Sequence, residues 1–274
     1  MKISKQSKNH SKKRYFFNRA YYNLFPSEKN LEKLIVSGKE YRPHYAYLVL
    51  KTFQEARSLG YDKFSILEFG CAGGSGIIDL EYLVNKINRF FNYDVQIYGF
   101  DGGEGLPPSS DYRDVLYLWQ QGDYKMKKEK FLNLNFKYSN IIIGDVKDTL
   151  KNFKSKFSPS RIGLVIQDMD YYSSTKESLN WFLSLDDSQL FPRTRFYFDD
   201  TFLTGNNIGE LLAIKEFNRN SDNIKVDKVE LEAEFLSLKW KNWIYLGKKF
   251  YYLHKFNHVD YNSNSINKKL KLDL

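Results

Sequence analysis

The sequence predicts an α/β protein built on a doubly wound, mostly parallel sheet. Three observations predict it. Short apolar, β-branched runs alternate with segments of helical spacing through most of the chain. The strongest run, 64–69, breaks into a turn holding Gly70, Gly73, Gly74 and Gly76 and then into a helical run, 77–91. Successive strand candidates end in acids: Asp101, Asp145, Asp168 and Asp199.

Taken in order, residues 1–14 are polar and basic and are expected to be a disordered tail. Residues 15–60 read as a helical leader, with Tyr21, Tyr22, Leu24 and Phe25 ahead of a break at Pro26-Ser27. Its second helix, about 43–59, spaces Tyr45, Leu48, Val49, Phe53 and Ala56 along one face and stops at Gly60. Strand 64–69, the glycine turn and helix 77–91 form the opening of a nucleotide-binding unit, since backbone without a Cβ can turn sharply and approach a ligand closely. A second strand, 95–100, ends in Asp101, an acid placed to accept hydrogen bonds from a ribose diol. After a turn-rich segment, 112–124 is rich in aromatics. Strand 138–143 leads to Gly144-Asp145 and helix 146–157. Strand 162–167 ends in Asp168-Met-Asp170, and Ser173 or Ser174 is expected to cap the next helix, which runs to about 183. Strand 195–198 ends in Asp199-Asp200, and an amphipathic helix covers 209–218. The β-prone stretch 240–256 supplies the last strands, read as a hairpin turning at Gly247. No repeat or linker is visible, so 61–258 reads as one domain, followed by a basic polar tail, 259–274.

Composition narrows the class. Hydrophobic residues make up 42% and aromatics 17%, enough for a packed core. The single cysteine, Cys71, excludes an intramolecular disulfide framework and reads as packing within the loop. No apolar run is long enough to cross a membrane and no signal-peptide core is present, so a cytoplasmic protein without a membrane partner is expected. The net charge of +9 could serve RNA. Much of it sits in the terminal tails, however, and no interior run interleaves bases and aromatics, so solvated tails are the favoured reading.

Ligands of an open α/β sheet bind at the carboxyl ends of its strands. Isolated acids there are commonly helix caps, and for Asp145 and Asp170 that reading competes evenly with a functional one. Should strands 162–167 and 195–198 be neighbours, Asp168, Asp199 and Asp200 would converge. Clustered anions repel unless a cation neutralises them or one is protonated. Hard oxygen ligands in that number suit Mg²⁺. His44 reads as structural, and Lys215 and Glu216 as surface charge. Tyr112, Tyr117, Trp119 and Tyr124 could form an aromatic lid over a bound ligand, but packing of a helix at i, i+4 spacing explains most of them equally well.

The spacing Glu68-x-Gly70-x-Ala72-x-Gly74 resembles the first motif of class I S-adenosylmethionine (SAM)-dependent methyltransferases, with Ala72 where many members have Gly. Further on, Gly99-Phe-Asp101-x-x-Glu104-Gly-Leu-Pro107 is similar to the G-F-D-x-F-E-G-L-P signature of the macrocin O-methyltransferase-like family. Gly144 with Asp148-Thr-Leu150, Asp168-x-Asp170-x-Tyr172-x-Ser-Thr175, Asp199-Asp200 and Gly209-Glu-x-x-Ala213-x-x-x-Phe217 resemble that family's later segments in order. The likeness spans about 64–220, and departs also at Gly102-Gly103 and Thr201.

The resemblance implies the Rossmann-like, mostly parallel seven-stranded sheet of class I methyltransferases. It implies an enzyme that binds SAM and a divalent cation, Mg²⁺, and methylates a hydroxyl of a saccharide or natural product. Carried over by position, Glu68, Gly70, Ala72, Gly74 and Ser75 would surround the methionine moiety, Asp101 the ribose, and Gly144 and Asp145 the adenine. Asp168, Asp199 and Asp200 would hold the metal, and Asp168 or Asp170 would take the acceptor's proton. A homo-oligomer is compatible with the sequence. Competing readings are an RNA methyltransferase drawing on the basic tails, a nicotinamide-dependent oxidoreductase, and a SAM-binding module without activity.

Overall fold

A computed structural model describes residues 26–201, 205–230 and 247–263. The expectations for the tail 1–14, the leader before Pro26, most of the 240–249 stretch and the C-terminal tail after residue 263 fall outside these residues.

The elements follow the βα alternation. Helices α1 (Glu28–Val36) and α2 (Pro43–Leu59) precede β1 (Lys63–Phe69), α3 (Ser75–Ile87) and β2 (Asp94–Asp101). A short helix, α4 (Lys128–Leu132), then leads to β3 (Ser139–Ile143), α5 (Val146–Phe157), β4 (Ile162–Gln167), α6 (Tyr172–Phe182) and β5 (Leu190–Phe198). Last come α7 (Gly209–Phe217), β6 (Ile224–Lys228) and β7 (Phe250–Lys255). The seven strands form one sheet in the order β3-β2-β1-β4-β5-β7-β6, with β1 to β5 parallel and β7 inserted antiparallel between β5 and β6. This is the Rossmann-like, mostly parallel seven-stranded sheet expected from the sequence.

The central strands read as continuous apolar runs because both faces of the sheet are covered. Alternate residues divide between two cores. Phe64 and Ile66 of β1, Ile97 of β2 and Leu164 and Ile166 of β4 face one, where α2 and α3 pack with Phe53, Leu80 and Val84. Leu67, Phe69, Phe100, Val165 and Phe196 face the other, with Phe153, Leu179 and Phe217 of α5, α6 and α7. Among the described residues no helix is long and apolar enough to cross a membrane.

Local chemistry accounts for most boundaries. Ser27 accepts the Asn30 N–H at the start of α1, Pro43 opens α2, and Gly60 closes α2 at φ +75°. Asp145 caps α5 by accepting the Lys147 N–H at 2.8 Å.

Several elements differ from the sequence reading. The helix expected over 77–91 ends at Ile87 and continues as a 3₁₀ turn over 88–90. Helix α6 starts at Tyr172 with Tyr171 as an N-cap that offers no side-chain acceptor, so neither Ser173 nor Ser174 caps it. The buried Asp114 does so from a distant loop, accepting the Ser173 N–H at 2.7 Å and its hydroxyl at 2.9 Å. Strand β5 begins at Leu190 rather than 195; its early part carries Pro192 and pairs with β4 across a register shift. Strand β6 was not foreseen. Gly247–Lys249 forms a 3₁₀ turn entering β7, whose antiparallel partners are β5 and β6. The aromatic-rich 112–124 is not a helix either, but a loop with a single 3₁₀ turn at Tyr112–Asp114.

Candidate active site

The carboxyl ends of β1 to β5 are level with one another. Gly70 donates to the Phe100 carbonyl, Gly144 to that of Asp101, Asp168 to that of Phe69 and Asp199 to that of Gln167, at 2.9–3.0 Å. A cleft of about 1090 Å³ opens above these ends. That is the upper end of ordinary ligand pockets, about 300–1,000 Å³, and leaves room for two ligands side by side.

The structure divides the residues singled out for the cofactor. Gly70, Ala72, Asp101, Gly144 and Asp145 line the cleft, whereas Glu68, Gly74 and Ser75 do not. Glu68 lies buried behind the loop, where its Oε1 accepts the Tyr45 hydroxyl at 3.2 Å and its Oε2 has no partner. The Phe131 ring of α4 sits against Gly74, so close that a Cβ there would come within 2.2 Å of it. Ser75 takes a hydrogen bond from Arg42, the residue that precedes α2 and also pairs with Asp79 at 2.9 Å. Asp101 already binds the loop, accepting the Ala72 N–H at 2.7 Å and the Gly103 N–H at 2.6 Å, one on each oxygen. Each carboxylate oxygen retains capacity for a further donor such as a ribose hydroxyl. Asp145 has the capping role weighed for it above and also lines the cleft.

Two properties of this loop are measurable. Ala72 adopts φ +42°, a left-handed conformation that an L-residue resists. Ala72→Gly is expected to raise stability by roughly 0.5–1 kcal/mol, the relieved strain less the added freedom of the unfolded chain. A chemical-denaturation curve with an unchanged or lower midpoint would contradict this.

Burial, opposed by the nearby Arg42, pushes the Glu68 carboxyl up to about 8. The folded protein therefore holds a proton that the unfolded chain releases near 4.5. Its stabilising contribution is complete below that value, declines as pH rises toward 8, and is gone above it. In thermal melts between pH 5 and 8, Glu68→Gln should flatten this decline, leaving the parts due to Asp170 and Asp200. An identical slope in both proteins would rule out the buried neutral Glu68.

Parallel pairing of β4 with β5 brings the acids together. Asp168, Asp199 and Asp200 each place a carboxylate oxygen within 4.8 Å of the others. Asp170, at φ +59°, stands against Asp200. Loss of hydration and mutual repulsion raise Asp170 to about 7 and Asp200 to about 8, and push Asp168 up as well. Asp199 moves the other way. Although partly desolvated, it is held below its ordinary value by Lys249, whose ammonium lies 2.8 Å from Oδ1, with the Tyr197 hydroxyl at 2.7 Å.

Several residues of the site were not assigned to it from the sequence. Lys249 reaches the cluster because β7 returns beside β5. Glu210, fully buried at the start of α7, accepts the Asp200 N–H at 2.8 Å. Among the described residues, Glu210 Oε1 and Asp200 Oδ2 are buried without a hydrogen-bond partner. His44 packs against Tyr45 and Tyr197 beside this group; burial pushes it down to about 3, so it stays neutral. Glu216, read as surface charge, accepts the Tyr172 hydroxyl at 2.6 Å and pairs with Lys176 at 2.8 Å on the cleft rim. Its neighbour Lys215 is exposed.

No protein-family model matches the chain, and no curated protein does. Solved structures do resemble it, and they are methyltransferases. One is the calicheamicin methyltransferase CalS11, at 19% identity over 79% of this chain and 86% of that one, with a TM-score of 0.49. Its apo form, described as a TDP-rhamnose 3'-O-methyltransferase, gives 20% identity over 79% and 87%, with a TM-score of 0.40. The plantazolicin methyltransferase BpumL, in complex with a substrate analogue and S-adenosylhomocysteine (SAH), gives 14% identity over 89% and 97%, with a TM-score of 0.36. At such identities and superpositions, the fold assignment rests on the strand order itself.

Proposed function

We propose that the chain is a SAM-dependent, Mg²⁺-assisted O-methyltransferase acting on a hydroxyl of a saccharide or natural-product small molecule. One observation carries this reading. The glycine loop with Asp101 and the Asp168-Asp199-Asp200 cluster line the same cleft, whose volume has room for a cofactor beside an acceptor. In this reading residues 61–258 form the catalytic domain, 15–60 its cap, and 1–14 and 259–274 basic tails of a cytoplasmic protein that is free to form a homo-oligomer.

The backbone at Gly70 and Ala72 would take the amino acid end of SAM, Asp101 the ribose, and Gly144 and Asp145 the adenine. Glu68, Gly74 and Ser75 would support the loop from behind, and displacement of Phe131 would bring Gly74 and Ser75 to the ligand. The acid cluster fits a divalent cation. Three oxygen donors converge, the Asp200 Oδ2 lacks a partner among the described residues, and one ammonium cannot neutralise so many carboxylates. Bound by Asp168, Asp199 and Asp200, Mg²⁺ would supply acidity to adjacent acceptor hydroxyls and orient them. The sulfonium methyl is already electrophilic, so the remaining work is in-line alignment and removal of one proton. Asp168 or Asp170 would take it.

The acids also weigh against the alternatives. A polyphosphate or RNA backbone entering this cleft would meet Asp101, Asp145, Asp168 and Asp170. A pyrophosphate would seek the α3 N-terminus, which Phe131 covers.

The test is calorimetric titration of SAH into the protein, first with Mg²⁺ and then with EDTA. Tight binding in both is expected, because the cation would sit on the acceptor side. No heat in either would discard the cofactor assignment.

A further inference from the structure

We propose that Tyr124 is the platform on which the acceptor stacks, and that the acceptor is a ring with an apolar face and hydroxyls along one edge. This rests on the methyltransferase reading above and names its substrate class. Of the aromatics in 112–124, Tyr112 and Tyr117 are 78% and 75% exposed and lie outside the cleft, while Trp119 and Tyr124 line it. Trp119 is buried in a small cluster with Val115 and Tyr171, yet Tyr124 remains 56% exposed.

Tyr124 is held there deliberately by its surroundings. Its backbone adopts φ +62°, which is costly for an aromatic residue and persists only where neighbouring structure enforces it. The enforcement is visible. Leu106 donates to the Asp123 carbonyl and Gly122 to that of Leu106, both at 2.9 Å, which ties the two ends of the loop together. Gly105 fits beneath, where a Cβ would come within 2.5 Å of the Asp123 carbonyl. The Trp119 indole stands beside the Tyr124 hydroxyl. Asp114 anchors the same loop to α6.

The ring stands close enough to Asp170 and Asp200 for both carboxylates to influence its hydroxyl. An accessible aromatic face beside a row of carboxylates matches a ligand with an apolar ring face and hydroxyls along one edge. The negative face of tyrosine attracts ring C–H groups, and carboxylates accept from hydroxyls. A chain of isolated polar groups would gain nothing from a ring on strained backbone.

Two sources share this chemistry, a saccharide and a planar catechol, so the probes are methyl α-mannopyranoside and catechol. Saturation-transfer NMR would be recorded on full-length protein with SAH present, for wild type, Tyr124→Phe and Tyr124→Gly. The glycine variant removes the ring and suits the positive φ, so it is expected to fold. Transfer to ring C–H protons of one probe should persist in Tyr124→Phe and weaken about fivefold in Tyr124→Gly, as expected for losing one aromatic contact. Which probe behaves so identifies the source. Equal transfer in wild type and Tyr124→Gly, or no transfer to either probe, would overturn the proposal. Calorimetry with SAH on the same proteins separates the two levels: absent SAH binding to wild type overturns the cofactor reading, whereas intact SAH binding with diol contacts indifferent to Tyr124 overturns this inference alone.

Discussion

Asp199→Asn is expected to bind SAH within about twofold of wild type and to lose turnover by roughly 10²–10³-fold, the effect of removing several kcal/mol of metal-derived stabilisation. Asp199 stands at the end of β5, whereas the residues proposed for the cofactor lie at the ends of β1, β2 and β3, so the two proposed functions separate in space. The substitution keeps an acceptor for Lys249 and Tyr197, both of which bond the same oxygen, Oδ1. It removes the charge. Lys249, 4% exposed, then loses the Asp199 charge, and a modest fall in melting temperature should accompany the loss of activity. The paired measurement is SAH calorimetry and methyl transfer from labelled SAM to the acceptor. Full turnover would sink the metal role of this aspartate. Loss of SAH binding without loss of fold would place Asp199 in the cofactor site instead.

The second large effect concerns folding. Gly70 sits at φ +84°, and a Cβ built on it would come within 1.7 Å of the Asp168 carbonyl oxygen. That oxygen belongs to backbone at the end of β4, and the Asp168 N–H is itself tied to the Phe69 carbonyl at 3.0 Å. Neither strand can yield without breaking the ladder between β1 and β4. Gly70→Ala is therefore expected to cost about 4 kcal/mol or more, beyond the ordinary range of point mutations. Circular dichroism and denaturant titration should find it largely unfolded or with a much lower midpoint. A midpoint within experimental error of wild type would show that the loop and Asp168 are not in contact. Gly73 offers the control, since a Cβ there meets nothing within 4 Å.

Lys249 and Glu210 illustrate how differently the parts of this site register in a sequence. The glycine turn, the acids at strand ends and the βα alternation are local features. Each follows from what a few consecutive residues can do: turn without a Cβ, end a strand, or bury one face of a helix. Strands β1, β2 and β4 and helix α5 accordingly lie within a residue of where their patterns place them. The strands that escaped or shifted are those whose patterns are interrupted. Strand β5 carries Pro192 and polar residues before its apolar core, and β6 is short and half polar. Their pairing partners supply the stability that their own residues do not announce.

By itself, then, the sequence determined the α/β class, the identity of the loop and the presence of acids at the strand ends, because these depend on spacing along the chain. Only the tertiary structure decided what those acids confront. The adjacency of β4 and β5 brought three carboxylates together, the antiparallel return of β7 delivered Lys249 to Asp199, and α7 set Glu210 behind Asp200. Tertiary packing also turned Glu68 and Ser75 away from the cleft and left Tyr124 facing into it. The physical reason is range. Propensity and periodicity act over a few residues, whereas charge, desolvation and close packing act between groups that only the closed sheet makes neighbours.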